Sequence, residues 1–210
     1  MRKIDHIIII SILFLTSCAI KPTLSPINIQ NINIEKDGKI YFELTDSHKK
    51  VVKNNTTNFA GIHNDIDEDD FLPTPFTQYL EENIVNNLRK SPGLELLESR
   101  NGNEFYINYD LNDFNVYRET SSSASLVKNF FPILYIIGMG VETCTAEING
   151  VLTVYDQETN EVLCDYNIKS EGTVRLRHFT NKNLANAYSD ATRIATSNMV
   201  EQIISRLLNC

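Results

Sequence analysis

Apolar side chains recur at helical spacing in two stretches of the chain. The first series is Phe76, Leu80, Ile84 and Leu88, and the second is Leu184, Tyr188, Ala191, Ala195, Met199 and Ile203. A spacing of three or four residues places each series on one face of an α-helix. We expect Thr74 to cap the first helix, Pro75 to be its first residue and Ser91-Pro92-Gly93 to end it. The second helix is expected to begin at about Asn183.

Alternating apolar and polar residues predict strands elsewhere in the chain. These strands cover residues 39–44, 94–97, 105–117, 141–155 and 161–176. The alternation changes phase within the 105–117 strand, which predicts a β-bulge near Asn112-Asp113. The last two strands flank a predicted hairpin turn at residues 157–160. The Asn-, Thr- and Asp-rich residues 47–72 are expected to form an exposed loop.

This order of elements predicts the fold class. Strand, helix, four strands and helix indicate an α+β domain, with an antiparallel sheet of four to six strands and two helices packed on one face. Residues 27–210 are expected to form this single domain, because a chain of this length can build one hydrophobic core. Residues 18–26 contain two prolines and no periodicity, and are expected to form a tether in front of it.

The N-terminus has the pattern of a secretory signal peptide. Arg2 and Lys3 precede an apolar run over residues 7–15. A transmembrane helix needs about 20 apolar residues, so this run predicts a targeting segment that is removed. The next residues, Leu15-Thr16-Ser17-Cys18, resemble the lipobox of bacterial lipoproteins, in which two small residues precede the cysteine that receives the lipid.

The lipobox resemblance implies how the chain is processed and where it is held. Residues 1–17 would be the signal peptide, cleaved between Ser17 and Cys18, and Cys18 would carry acyl chains such as palmitate. Two or more acyl chains anchor a protein stably without a transmembrane helix. Enteric lipoproteins that stay in the inner membrane carry Asp at the next position. Ala19 stands there in this chain, so the resemblance implies the periplasm-facing surface of the outer membrane rather than the inner membrane.

The charge balance argues against a nucleic-acid partner. The sequence has 19 basic and 27 acidic side chains, and removing residues 1–17 takes away Arg2, Lys3 and Asp5. Binding to phosphates depends on clustered Lys and Arg. We therefore expect no nucleic acid among the partners, which would be the membrane, through the N-terminal lipid, and an envelope protein.

Three cysteines remain after lipidation: Cys144, Cys164 and Cys210. In an oxidising compartment they allow at most one internal disulfide. The predicted hairpin places Cys164 opposite Leu152 or Val154, so the two strand cysteines do not face each other. We expect Cys144 and Cys164 to be buried and unpaired and Cys210 to be loose at the C-terminus. The sequence does not decide whether any two of the three form a disulfide.

The sequence offers only weak evidence for catalytic or metal-binding residues. The acidic run over residues 65–70 begins like a calcium loop, but Asp70 stands where the turn needs Gly and Phe76 where a Glu ligand belongs. None of the histidines has ligand spacing, and there is no nucleophile motif or Gly-rich phosphate loop. We therefore predict no catalytic residue, no metal and no cofactor, and do not expect an enzyme.

One connecting segment is unusually apolar. Its candidate contact residues are Phe130, Phe131, Ile133, Leu134, Tyr135, Ile136 and Ile137. Too short to span a membrane, the segment allows two interpretations. It could fold over the sheet as additional core, or it could be an exposed patch that enters lipid or docks on a protein.

The whole arrangement resembles the YajG-like family of small envelope lipoproteins. The matching stretches behind the lipobox are residues 41–46, residues 76–88 followed by Gly93, and residues 147–208. Residues 121–141 look like an insertion relative to that family. The resemblance implies fold and compartment and supplies no active site.

These observations lead to two functional hypotheses. The first is a membrane-anchored periplasmic lipoprotein that acts without catalysis, by binding envelope components or a membrane-protein complex. The alternative is an auxiliary lipoprotein subunit of a lipid or ligand transport system, which the chain resembles at the level of general plan. In that case the sheet and residues 130–137 would enclose an apolar cavity.

Overall fold

The computed structural model describes residues 22, 24–29, 38–48, 55–58, 61–121, 130, 142–176 and 181–210. The strands are β1 (Gly38–Asp46), β2 (Asn55–Asn58), β3 (Gly61–Ile66), β4 (Leu94–Leu96), β5 (Phe105–Ser121), β6 (Glu142–Asp156) and β7 (Val162–Leu176). The helices are α1 (Phe76–Arg89) and α2 (Asn181–Leu207), and a 3₁₀ turn covers Glu68–Asp70. No helix within these residues is long and apolar enough to cross a membrane.

One mixed sheet is built around β5, its longest strand. One edge of β5 pairs with β6 along nearly its whole length, and β6 pairs in turn with β7. The other edge of β5 is shared by two strands. β1 runs parallel to the lower part of β5, starting with Ile40 opposite Phe105, and β3 runs antiparallel to its upper part. β4 lies outside β1, and β2 lies outside β3.

The α+β class is confirmed, but the purely antiparallel sheet is wrong. β1 pairs in parallel with both β4 and β5. A parallel pair needs a long connection that brings the chain back to the same end of the sheet. Residues 47–104 provide it: α1 returns the chain to the end at which β1 begins, where the Gly38 N–H donates to the Gly93 carbonyl at 2.9 Å.

The predicted β-bulge is confirmed at Asn112. Leu111 lies opposite Gly150 and Asp113 lies opposite Asn149, so Asn112 has no opposite residue. Buried positions change there from odd to even residue numbers. Both halves of β5 therefore keep their apolar side toward the helices.

The hairpin register is confirmed, but the expected pairing state of two cysteines is wrong. Cys164 lies opposite Val154, as predicted. Instead of remaining unpaired, Cys164 forms a disulfide with Cys210, with a Cα–Cα distance of 6.0 Å. α2 runs back along β7 and brings the C-terminus to the start of that strand. The pairing register of the strands does not predict this contact, because it is made by a helix. Cys144 is buried and unpaired, as expected.

Residues 47–72 are not a simple exposed loop. They contain β2, β3 and the 3₁₀ turn, and they end in Phe71 and Leu72, which are only 1% and 3% exposed. The expected cap of α1 is also wrong, because Thr74 makes no capping hydrogen bond and Pro75 occupies the cap position. A carboxylate oxygen of Glu68 accepts the first helical N–H, that of Phe76, at 3.3 Å.

Both helices lie on the same face of the sheet. The Phe76 ring of α1 stacks on Phe114 of β5, with ring centroids 3.6 Å apart. α2 crosses β7 so closely at Gly172 that a Cβ there would lie 2.1 Å from the Ala191 carbonyl oxygen. The apolar stripe predicted for α2 faces the sheet, and five of its six members are buried.

Candidate functional site

Most of the sequence-predicted site residues lie outside the described part of the chain. Ser17 and Cys18 fall there, and so do Phe131, Ile133, Leu134, Tyr135, Ile136 and Ile137. Phe130 is described, and its side chain is 71% exposed. Both interpretations of the segment stay open, because its other residues lie outside the described part of the chain.

A docked segment, residues 24–29, lies along α1 and is held by two asparagines of that helix. The Asn83 Oδ1 accepts the Ile27 N–H at 2.7 Å, and the Asn87 Oδ1 accepts the Ile29 N–H at 3.0 Å. The Asn87 Nδ2 also donates to the Ile27 carbonyl at 3.1 Å. These side chains satisfy the backbone of the segment as a neighbouring strand would. Ile27 is buried beneath them, 7% exposed.

The docked segment and α1 run in the same direction, and two residues of the segment advance about as far as four residues of the helix. The Tyr79 hydroxyl donates to the Ser25 carbonyl at 3.1 Å, so Ser25, Ile27 and Ile29 meet helix residues four positions apart. Two extended residues advance about 6.6 Å and four helical residues about 6 Å. Because of this match, one helix face can bind several successive peptide groups.

The direction of α1 shows where the N-terminal chain leaves the domain. We call the sheet end where β5 stops at Ser121 and β6 starts at Glu142 the loop end, and the opposite end, with the β6–β7 turn, the turn end. α1 finishes at the turn end, beside the first residues of β1 and β4. Traced backward from Ile29 to Ser25, the docked segment therefore points toward the loop end.

A buried polar cluster lies under α2 near the loop end. Glu142 is 1% exposed, and a carboxylate oxygen of this residue lies 3.4 Å from the Nε of Arg118. The Thr120 hydroxyl donates to its other oxygen at 2.9 Å. Burial raises the pKa of the neighbouring Cys144 thiol to about 12 and that of Tyr188 to about 12. A thiol kept neutral in this way is a poor nucleophile.

An aromatic ladder crosses the face of the sheet opposite the helices. Tyr41, Tyr106 and Tyr155 occupy one cross-strand row on β1, β5 and β6. Their rings are stacked, with centroids 6.0 Å apart in the first pair and 5.3 Å in the second. All three side chains are partly exposed. None of the described helices covers this row.

An ion pair fixes the ladder. The Arg100 guanidinium lies 3.8 Å above the Tyr106 ring and 2.8 Å from a carboxylate oxygen of Glu43. The Tyr106 hydroxyl donates to the same oxygen at 2.8 Å. This hydrogen bond, with Arg100 as the next favourable partner, holds the pKa of Glu43 below its usual value. Burial and the hydrogen bond to Glu43 raise the pKa of Tyr106 to about 12.

A polar groove of about 420 Å³ lies beside the bulge and shares this face of the sheet. Its charged lining comprises Asp113, Glu147, Lys169 and Glu171, with Asn149 between them. Within the described residues, no group of three His, Cys, Asp or Glu side chains is placed to hold a metal ion. The lining is suited to hydrogen bonding rather than to enclosing an apolar ligand.

The docking asparagines were missed by sequence reasoning. Tyr79, Asn83, Asn87 and Ser91 recur every four residues and form a second row beside the apolar stripe. A row of amide side chains at helical spacing is compatible with a solvent-exposed face, so the pattern alone did not show that Asn83 and Asn87 are buried. Their burial requires the docked segment, which lies more than 50 residues away in the sequence.

Comparison with known proteins relates the chain to others through its fold. No family model matches the sequence, and neither does any curated protein. The crystal structure of a DUF330 protein from Xanthomonas campestris has a TM-score of 0.51 and 10% identity, covering 89% of this chain and 91% of that one. At this identity the likeness shows a shared α+β fold.

Two further solved structures are more distant. A homologue of a neuraminyllactose-binding hemagglutinin from Helicobacter pylori has a TM-score of 0.49 and 12% identity, covering 89% of this chain and 92% of that one. A minor lipoprotein from Acinetobacter baumannii has a TM-score of 0.41 and 11% identity, covering 81% and 92%. Likenesses at this level carry no functional argument, and none of them singles out the YajG-like family.

Proposed function

We propose that this chain is a periplasmic lipoprotein of the YajG-like kind, anchored to the outer membrane through Cys18, and that it acts by binding rather than by catalysis. The lipobox supports the anchor. The aromatic ladder on the sheet face opposite the described helices is the observation that carries the binding function.

The ladder has the composition of a protein-binding surface. Tyr and Arg are enriched at interfaces because they bury a large area and still offer hydrogen bonds. Here Arg100 and Glu43 hold the Tyr106 ring in one orientation, which reduces the entropy lost on binding. The described helices leave this face uncovered. It would bind an envelope protein through the ladder and through hydrogen bonds in the polar groove further along the same face.

The chemistry of the described residues supports binding over reaction. The buried Cys144 thiol has a raised pKa, whereas a catalytic cysteine needs a lowered one. The tyrosine hydroxyl of the ladder is likewise held protonated. The alternative, a lipid-carrying subunit, requires an apolar cavity, and the described groove is lined largely by charged side chains.

The anchor is tested by replacing the lipidated cysteine. Cys18→Ala should abolish labelling with radioactive palmitate and release the protein from membranes, because no acyl chain can be attached. Cys210→Ser, which changes a cysteine at the other end of the chain, should label like the wild type. Equal labelling of the wild type and Cys18→Ala would refute the anchor.

The binding surface is tested by site-specific photocrosslinking in intact cells. A photoreactive amino acid at Asn108, on the same face as the ladder, should give a discrete adduct. The same amino acid at Glu201, on the exposed side of α2, is the matched control and should not. Adding Tyr106→Ser to the Asn108 probe should weaken the adduct. Identical adducts from Asn108 and Glu201 would refute the assignment of this face.

A further inference from the structure

We infer that the partner of the aromatic ladder is a protein segment rich in arginine and lysine, and that one of its arginines stacks on Tyr155 and pairs with Asp165. The inference rests on the proposed binding function of this face and adds the chemistry of the partner. Two observations carry it: the way in which the ladder holds Arg100, and the distribution of charge over the domain.

Arg100 shows which chemical group the ladder binds within the protein itself. Its guanidinium lies 3.8 Å from the centroid of the Tyr106 ring and 2.8 Å from a carboxylate oxygen of Glu43. The strand register explains the arrangement. Tyr41 lies opposite Tyr106 on β1, and Glu43 follows it one row further toward the loop end, opposite Asn108. A tyrosine and a carboxylate on neighbouring strands, one row apart, thus form a site for a guanidinium through stacking and an ion pair.

The other half of the ladder contains the same two groups. Val162 of β7 lies opposite Tyr155, and Asp165 lies opposite Thr153, one row further toward the loop end. Asp165 is therefore placed relative to Tyr155 as Glu43 is relative to Tyr106, with the neighbouring strand on the opposite side of the ladder. Diagonal neighbours of this kind have Cβ atoms about 7–8 Å apart. A guanidinium stacked on the Tyr155 ring can reach a carboxylate at that distance.

This second position is accessible from solvent. Asp165 is exposed, and the Thr153 hydroxyl donates to its carboxylate at 3.4 Å. Among the described residues, no Lys or Arg pairs with Asp165 and none stacks on Tyr155. Beside the ring, Val162 and Leu163 are 55% and 45% exposed, and they would pack against the aliphatic part of an arginine side chain. An arginine from a partner would therefore meet an aromatic ring, a carboxylate and an apolar border together.

An excess of acidic side chains lies on the sheet face that carries the ladder, which we call the ladder face. The sequences of the two helices, in contrast, contain as many basic as acidic residues. The excess attracts cationic partners and repels phosphate groups and anionic lipid. An uncharged partner would desolvate the carboxylates without pairing them. In β1 and β5–β7 the acidic residues of this face are Glu43, Asp110, Asp113, Glu119, Glu147, Asp165 and Glu171, and the basic ones are Lys39, Lys169 and Arg175.

Synthetic peptides test the chemistry of the partner. The probe is a fluorescent peptide that alternates arginine with valine, and its control carries citrulline, which has the shape of arginine without the charge, at every arginine position. Binding to the full lipidated chain in a nonionic detergent would be followed by fluorescence anisotropy. The arginine peptide should bind about ten-fold more tightly, and its binding should weaken with added salt. Equal binding of the two peptides, or no binding of either, would overturn the inference.

Matched substitutions locate the site. Asp165→Arg reverses a charge on the ladder face, and Glu201→Arg makes the same change on the exposed side of α2. Both side chains are exposed, so both variants should keep the wild-type Tm. Asp165→Arg should weaken binding of the arginine peptide about five-fold or more, and Glu201→Arg should have little effect. Equal effects would mean that the peptide follows net charge, and the inference would be wrong. Tyr155→Leu should weaken binding about two- to five-fold, and an unchanged affinity would refute the stacking on Tyr155.

The photoreactive probe at Asn108 separates this inference from the proposed function in intact cells. An adduct that is lost with Asp165→Arg and kept with Glu201→Arg supports both. If the adduct forms and survives Asp165→Arg, the face binds a partner and the basic segment is wrong. If Asn108 gives no discrete adduct, the proposed function is wrong and the inference falls with it.

Discussion

Breaking the Cys164–Cys210 disulfide is expected to lower the stability of the domain substantially. The two cysteines are 46 residues apart in the sequence, and the loop-closure entropy for that length corresponds to about 4 kcal/mol. A domain of this size loses about 2–4 °C of Tm per kcal/mol, so the expected fall is about 8–16 °C. Cys210→Ser is the best perturbation, because the terminal side chain is only partly buried and its loss removes little packing.

The assay is thermal unfolding followed by circular dichroism, with and without reductant, in protein that carries Cys18→Ala and was exported to the periplasm. Reductant should lower the Tm of this reference protein to that of its Cys210→Ser derivative and should not affect the derivative. In denaturant without reductant, one thiol, that of Cys144, should titrate. Three titrating thiols, or equal Tm values for the two proteins, would refute the reasoning.

Three further changes test other parts of the structure. Glu142→Gln leaves the Arg118 charge without its carboxylate partner under α2. Urea unfolding should therefore show that the free energy of unfolding falls by about 3 kcal/mol. A fall below about 1 kcal/mol would mean that solvent screens Arg118. Tyr106→Phe removes the leading cause of the lowered pKa of Glu43, so an NMR titration should show that pKa rising toward its usual value. A carboxyl group whose pKa is lowered by folding stabilises the fold at pH values above its unfolded pKa. That stabilisation is lost as the pH falls through the folded pKa. The Tyr106→Phe variant should therefore lose less stability on acidification than the wild type. Gly172→Ala places a methyl group against the backbone of α2 and should destabilise the domain by about 1–3 kcal/mol in the same urea assay; an unchanged midpoint would contradict the close approach.

The periodicity of apolar residues predicted the helices and strands that bury only one face. The strands around the bulge at Asn112, the hairpin register at Cys164 and the apolar stripe of α2 all follow from a single buried face, which leaves a clear pattern in the sequence. Parallel pairing of β1 leaves no such pattern. Its alternation is the same whichever direction its neighbour runs, so the sequence did not distinguish a mixed sheet from an antiparallel one.

Polar contacts between distant residues were the hardest part to predict. β2 and β3 lie in a stretch of Asn, Thr and Asp with weak alternation, which is typical of a loop as well as of an edge hairpin. Asn83 and Asn87 are polar residues whose burial depends on a separate segment. Tyr41, Tyr106 and Tyr155 appear as ordinary strand residues until the register aligns them in one row.

The shared edge of β5 has a consequence for the order in which the protein can fold. A chain is made from its N-terminus, and β1 is complete long before either of its partners exists, because Gly38 pairs with Leu94 and Ile40 with Phe105. At about 5–20 residues per second, the first partner residue follows several seconds later. During that time Ile40 and Phe42, later buried in the core, have no sheet to join. The apolar side of β1 is therefore open to aggregation until β4 and β5 have been made.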